Sequence, residues 1–81
     1  LAEDVLGRLA FLYSALKDKS PKEVSQNQEL MGFATELHEI WREFLKTDKI
    51  SLKNSEIDQL FFDRTLLTVR RALELTGAVK E

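Results

Sequence analysis

Between Leu30 and Leu45 the large apolar residues keep to one side of a helix. Leu30, Ala34, Leu37, Trp41 and Phe44 form the centre of a stripe, with Phe33 and Ile40 on one flank and Met31 and Leu45 on the other. The repeat is that of an α-helix, where residues three and four apart share a face. A stripe about half the circumference wide is broader than the usual ~100°, so this segment should touch more than one neighbour. It predicts the central helix of an all-α domain.

The flanking sequence supplies the neighbours. Val5, Leu9, Leu12 and Leu16 recur at helical spacing, widened by Leu6 and Tyr13, while Phe11 lies roughly opposite them. In the third segment Phe62, Leu66, Val69 and Leu73 make one apolar strip, and Ile57, Phe61, Ala72 and Leu75 an adjoining one. The expected helices span roughly 3–18, 21–47 and 54–76, in an antiparallel up-and-down bundle that forms one domain over residues 1–81. The short connection "KTDKISLKNSE" is the reason for expecting antiparallel neighbours.

Local signals refine the ends. In "SPKE", Ser20 can cap, Pro21 suits the first helical position because its missing N–H would be unpaired there anyway, and Glu23 can close a capping box. "SQNQ" offers a second box five residues on, so the central helix starts either at Pro21 or, after a short first turn, near Gln26. Ile50 and Leu52 alternate in an extended turn before Ser51 or Asn54 caps the third helix. Gly77 supplies the residue a helix needs beyond its last turn, and Val79 can pack back on it.

Composition excludes several functions. A chain of 81 residues buries only about 60% of its unfolded surface, so the core must be economical. With 43% hydrophobic and 32% charged residues, one proline and three glycines, the sequence is neither disordered nor of low complexity. The absence of cysteine removes disulfides, thiolate metal sites and thiol nucleophiles, and fits a reducing compartment. A net charge of -2 lacks the basic stripe a nucleic-acid binder requires. No apolar run approaches the ~18 residues of a membrane span, and no signal peptide precedes the first helix. The sequence begins with Leu1 and not methionine, which leaves open a preceding N-terminal piece.

Catalytic patterns are wanting. "HEIWR" begins like a zinc-protease motif, but Arg42 stands where the second ligand belongs, and His38 alone holds no zinc. His38 sits at the edge of the central stripe, where a half-buried packing role fits best and a pH-sensitive contact is the alternative. Glu36, Glu39 and Glu43 fall on an open helix face with Arg42 and Lys46, where no pocket separates their pKa values. Gly7, Gly32 and Gly77 are isolated and form no phosphate loop. The expectation is a protein that is not an enzyme and carries no cofactor or metal.

One surface stands out. Opposite its apolar strips, the third helix carries Leu60, Arg64, Leu67, Arg70 and Arg71. The arginines alone read as a soluble face near a helix C-terminus, where the macrodipole favours cations, with Glu74 one turn from Arg70 and Arg71. The leucines change that reading. Leu60 and Leu67 are seven residues apart and in line, with arginine stems beside them. Apolar centres rimmed by arginine are what a partner site offers, the apolar part giving affinity and the guanidinium forks orientation. The candidate partner-binding residues are therefore Leu60, Arg64, Leu67, Arg70 and Arg71.

Over Glu3 to Leu75 the chain resembles the immunity proteins of pediocin-like, class IIa bacteriocins, particularly the enterocin A immunity group. The resemblance is carried by "EDVLGRLAFLYSALKDK", by a long helix ending in "LKTDKISL" with its Lys49–Ile50 turn, and by "NSEIDQLFFDRTLLTVRRALEL". It implies an antiparallel four-helix bundle against the three helices counted, so either a first helix precedes Leu1 or the "SPKEVSQNQ" region divides differently. It also implies a cytoplasmic, non-enzymatic protein that spares the producing cell from a pore-forming peptide, acting with the bacteriocin-bound mannose phosphotransferase permease at the inner face of the membrane. The C-terminal half is thought to set specificity in that family, which falls here on the Leu60, Arg64, Leu67, Arg71 line. The alternative is a generic helical interaction or regulatory domain using the same stripe on a soluble partner.

Overall fold

The computed structural model describes residues 2–47 and 59–79, with side chains described for residues 5, 7–43 and 60–79. The described residues form four helices: α1 (Ala2–Leu16), α2 (Pro21–Ser25), α3 (Gln28–Thr47) and α4 (Gln59–Leu75). The protein is all-α, as the periodicity predicts.

The expected helix over 21–47 is two helices, and local hydrogen bonding explains the break. Ser20 Oγ accepts from the Glu23 amide at 3.1 Å while the Glu23 carboxylate accepts from the Ser20 amide at 3.3 Å, a closed capping box with Pro21 at the first helical position. The second helix starts at Gln28, close to the alternative near Gln26. Asn27 Oδ1 accepts from the amides of Glu29, at 2.9 Å, and Leu30, at 3.2 Å, so Asn27 caps α3. Ser25, the expected cap of "SQNQ", instead donates its hydroxyl to the Lys22 carbonyl at 2.8 Å.

The other boundaries shift less. α1 stops at Leu16, two residues before the expected end, with Lys17 and Asp18 already in a turn. At the far end Gly77 adopts φ 75°, its amide donates to the Glu74 carbonyl at 3.1 Å, and the Ala78 amide donates to the Leu73 carbonyl at 2.9 Å. That pair of bonds is the Schellman arrangement, which a Cβ-bearing residue at the left-handed position would strain. It folds Val79 back onto the core, as expected. The start expected at 54, the Ser51 or Asn54 cap, the Ile50–Leu52 turn and Ile57 lie outside the described residues.

The core draws on all four helices: Leu9, Leu12, Tyr13 and Leu16 from α1, Val24 from α2, Ala34 and Leu37 from α3, and Phe62, Val69, Ala72 and Leu73 from α4. Phe62 is its hub, with ring centroids 5.1 Å from Trp41 and 6.0 Å from Tyr13. The broad stripe of α3 is used as its width predicts, for α3 packs against α1, α2 and α4. The short α2 packs mainly on α4 and delivers one fully buried side chain, Val24. Thr65, the buried polar residue of the core, donates its hydroxyl to the Phe61 carbonyl one turn back at 2.9 Å and so leaves no unmet donor.

One expectation about the core is corrected. Phe61 and Leu75, assigned to an apolar strip adjoining Phe62, are 51% and 64% exposed. At about 100° per residue they lie on the far flank of that strip, and the described helices cover only its centre. Phe11, expected opposite the α1 stripe, is half covered: its ring meets Phe33 edge-on at 5.4 Å and lies 5.0 Å below the Arg8 guanidinium. Arg8 in turn forks onto Glu36, at 2.5 and 2.7 Å, tying α1 to α3. Glu36 is therefore an inter-helix ion-pair partner and not simply a solvated carboxylate.

Candidate functional site: the outer face of α4 and the adjoining groove

The five residues singled out on α4 are all exposed, Leu60 at 59% and Leu67 at 50%, with Arg64, Arg70 and Arg71 around them. At about 100° per residue, Leu67, Leu60, Arg71, Arg64, Leu75 and Phe61 follow one another within roughly 120° of arc. Two residues that sequence reasoning had given to the core, Phe61 and Leu75, thus enlarge the surface. The Arg64 guanidinium lies 5.6 Å above the Phe61 ring, which holds a charged fork against an apolar base. Four large apolar side chains around Arg64 and Arg71 make a contiguous amphipathic face, unlike the scattered single leucines of an ordinary surface.

Arg70 stands apart from this row. With Leu67 it turns toward α3 and lines a groove of about 560 Å³ whose other walls are Asp63 and Leu66 of α4, His38, Trp41 and Arg42 of α3, and Val79 beyond the Schellman turn. Trp41, Leu66, Leu67 and Val79 supply its apolar lining, and His38, Arg42 and Arg70 its basic groups. His38 is half-buried, as the edge of the central stripe predicts, and its pKa is pushed below the ordinary value of 6.5. Burial is the main cause, followed by the positive charges of Arg42 and Arg70, with Glu39 acting the other way. The imidazole thus feels a net positive field.

Sequence reasoning missed this groove. Arg42 and Arg70 are 28 residues apart, and no periodicity within either helix fixes which turn of α3 faces which turn of α4. The available signal was His38 itself, an intermediate residue at the edge of an apolar stripe next to a cation one turn on. A smaller cleft, of about 280 Å³, lies between α1 and α3 and is lined by Val5, Glu39, Ile40 and Glu43.

Elsewhere the electrostatics are structural. The hydrogen bond from Arg8, with its charge as a smaller contribution, holds the Glu36 carboxyl below its usual range against a small opposing effect of burial. Among the described residues no group of three His, Cys, Asp or Glu side chains is placed to hold a metal ion, and no helix is long and apolar enough to cross a membrane. The site is therefore an exposed amphipathic face on α4 with an adjoining groove that is partly apolar and partly basic. No family model, curated protein or solved structure matches the chain.

Proposed function

We propose that this chain is a non-enzymatic immunity protein that protects a bacteriocin producer from a pore-forming peptide of the class IIa kind. In this reading it works from the cytoplasm, at the inner face of the membrane, on the bacteriocin-bound mannose phosphotransferase permease. The outer face of α4 makes the contact. The observation that supports it is the outward placement of Leu60 and Leu67 with Arg64 and Arg71 beside them, on the segment to which the family resemblance assigns specificity. Burial of such a row against a partner supplies affinity, and the guanidinium groups fix register.

The test is protection. Expressed in a strain sensitive to class IIa peptides, the chain is expected to raise survival against at least one of a panel. Leu67→Asp or Arg71→Glu is expected to weaken that protection while the far-ultraviolet circular dichroism stays helical. Unchanged killing across the panel counts against the proposal, and unfolding of either variant removes the docking face from it. A second reading, a regulatory or adaptor domain for a soluble partner, is favoured by the concave α3–α4 groove, a shape suited to an inserted side chain. A gene lying away from any bacteriocin precursor supports that second reading.

A further inference from the structure

The α3–α4 groove differs in kind from the convex face beside it. It is concave, its lining is partly apolar, and Arg42 of α3 and Arg70 of α4 both lie within electrostatic range of His38. A concave apolar site with a few convergent polar groups is the usual form of a ligand-binding cleft. Its charge decides what enters. Arg42, which forms no salt bridge among the described residues, and Arg70 both bear on His38, with Asp63 the single carboxylate in the lining.

We infer that this groove binds an acidic peptide segment of a partner protein, one in which a carboxylate side chain neighbours a large aliphatic one. The aliphatic group rests on Trp41, Leu66 and Val79, and the carboxylate accepts hydrogen bonds from Arg42 and Arg70. A cationic segment meets the two guanidinium groups of Arg42 and Arg70 and is repelled. An anionic bilayer or a nucleic acid fits worse, because each presents a broad charge array to a chain of net charge -2, with Asp63 in the lining and Glu39 near His38. The inference goes beyond the protective role and stands whether or not the chain confers immunity.

His38 couples the groove to pH. It is faced by Glu39 and Arg42 on α3 and by Asp63 and Arg70 on α4, while the C-terminal wall contributes the apolar Val79. A bound carboxylate offsets the positive field and favours the imidazolium, so by linkage the segment binds more tightly as pH falls through the His38 titration.

Trp41, the sole tryptophan, lines the groove and reports occupancy by its fluorescence. The full chain is titrated with a blocked peptide alternating leucine and glutamate, and with its leucine–glutamine counterpart. The glutamate peptide is expected to saturate the signal and to bind about tenfold more tightly than the glutamine one, a difference that raised salt reduces. Binding should strengthen as pH falls through the His38 titration, whose midpoint in the free protein lies below 6.5. Arg42→Gln and Arg70→Gln, at exposed positions, should each weaken it severalfold with unchanged circular dichroism, and His38→Gln should remove the pH dependence while leaving binding in place. Equal affinity for the two peptides, or no saturation up to about 1 mM, overturns the inference. So does sedimentation showing that the groove is filled by a second copy, or phosphatidylglycerol vesicles capturing the chain through Arg42 and Arg70 while the peptide has no effect. Because the readout is direct binding, its failure leaves the protection assay untouched, and the reverse holds as well.

Discussion

Replacing Leu67 and Leu73 separately by alanine tests the division of α4 into an outer and an inner face. The two leucines are six residues apart on one helix, so intrinsic helix propensity changes equally at both. Their surroundings differ. Leu73 is 2% exposed in the core, and truncation there loses the transfer free energy of the removed carbons and leaves a cavity, together about 2–5 kcal/mol. Leu67 keeps half its surface in water, and burying a leucine side chain completely is worth about 2 kcal/mol. Its truncation therefore costs less than about 1 kcal/mol, and the better helix propensity of alanine offsets a few tenths of that. An 81-residue domain holds on the order of 4–12 kcal/mol in total, and a urea m-value near the low end, about 1 kcal/mol per M, converts these losses into midpoint shifts. Urea unfolding followed by circular dichroism should show Leu67→Ala moving the midpoint by less than about 1 M. Leu73→Ala should move it by about 2 M or more, or abolish the cooperative transition. Equal shifts, or a larger one for Leu67, would place Leu67 in the core and refute the docking face.

Three further outcomes are expected. Asn27→Ala should destabilise the protein by about 1 kcal/mol through loss of the α3 cap, whereas Ser25→Ala should cost clearly less, a contrast that thermal unfolding resolves. The single histidine should titrate by NMR with a midpoint below 6.5, and Arg70→Gln or Arg42→Gln should move that midpoint upward by removing a repelling charge. Since the folded-state pKa of Glu36 is depressed, the native protein binds fewer protons there than the unfolded chain, and stability from the Arg8 pair is present above about the ordinary 4.5 and lost as pH falls through the folded value. Glu36→Gln should accordingly be less stable than the parent at neutral pH, with the gap closing on acidification in denaturant titrations.

Within single helices the sequence was a sufficient guide, because helical periodicity and capping are short-range. The spacing of Leu9, Leu12 and Leu16, and of Phe62, Val69 and Leu73, marked which sides would be buried, and "SPKE" and Gly77 marked ends at which hydrogen bonds close within a few residues. The outward leucines were legible for the same reason: a residue far from its helix's apolar centre has nothing in its own helix to cover it.

What lay between helices was not legible. The apolar spacing of α4 grants Phe61 and Leu75 the same standing as Ala72, yet only the placement of α1, α2 and α3 leaves the first two in water. The division of the 21–47 segment turned on whether Ser25 or Asn27 reached the free amides, two caps of similar intrinsic strength separated by two residues. The Arg8–Glu36 pair joins residues 28 positions apart, and the groove brings His38 and Arg42 to Arg70, 28 or more positions away. Sequence determined which faces of each helix are apolar, since that follows from a fixed rotation per residue. Tertiary structure alone decided how those faces pair, because register and rotation between helices are set by the packing of side chains from both.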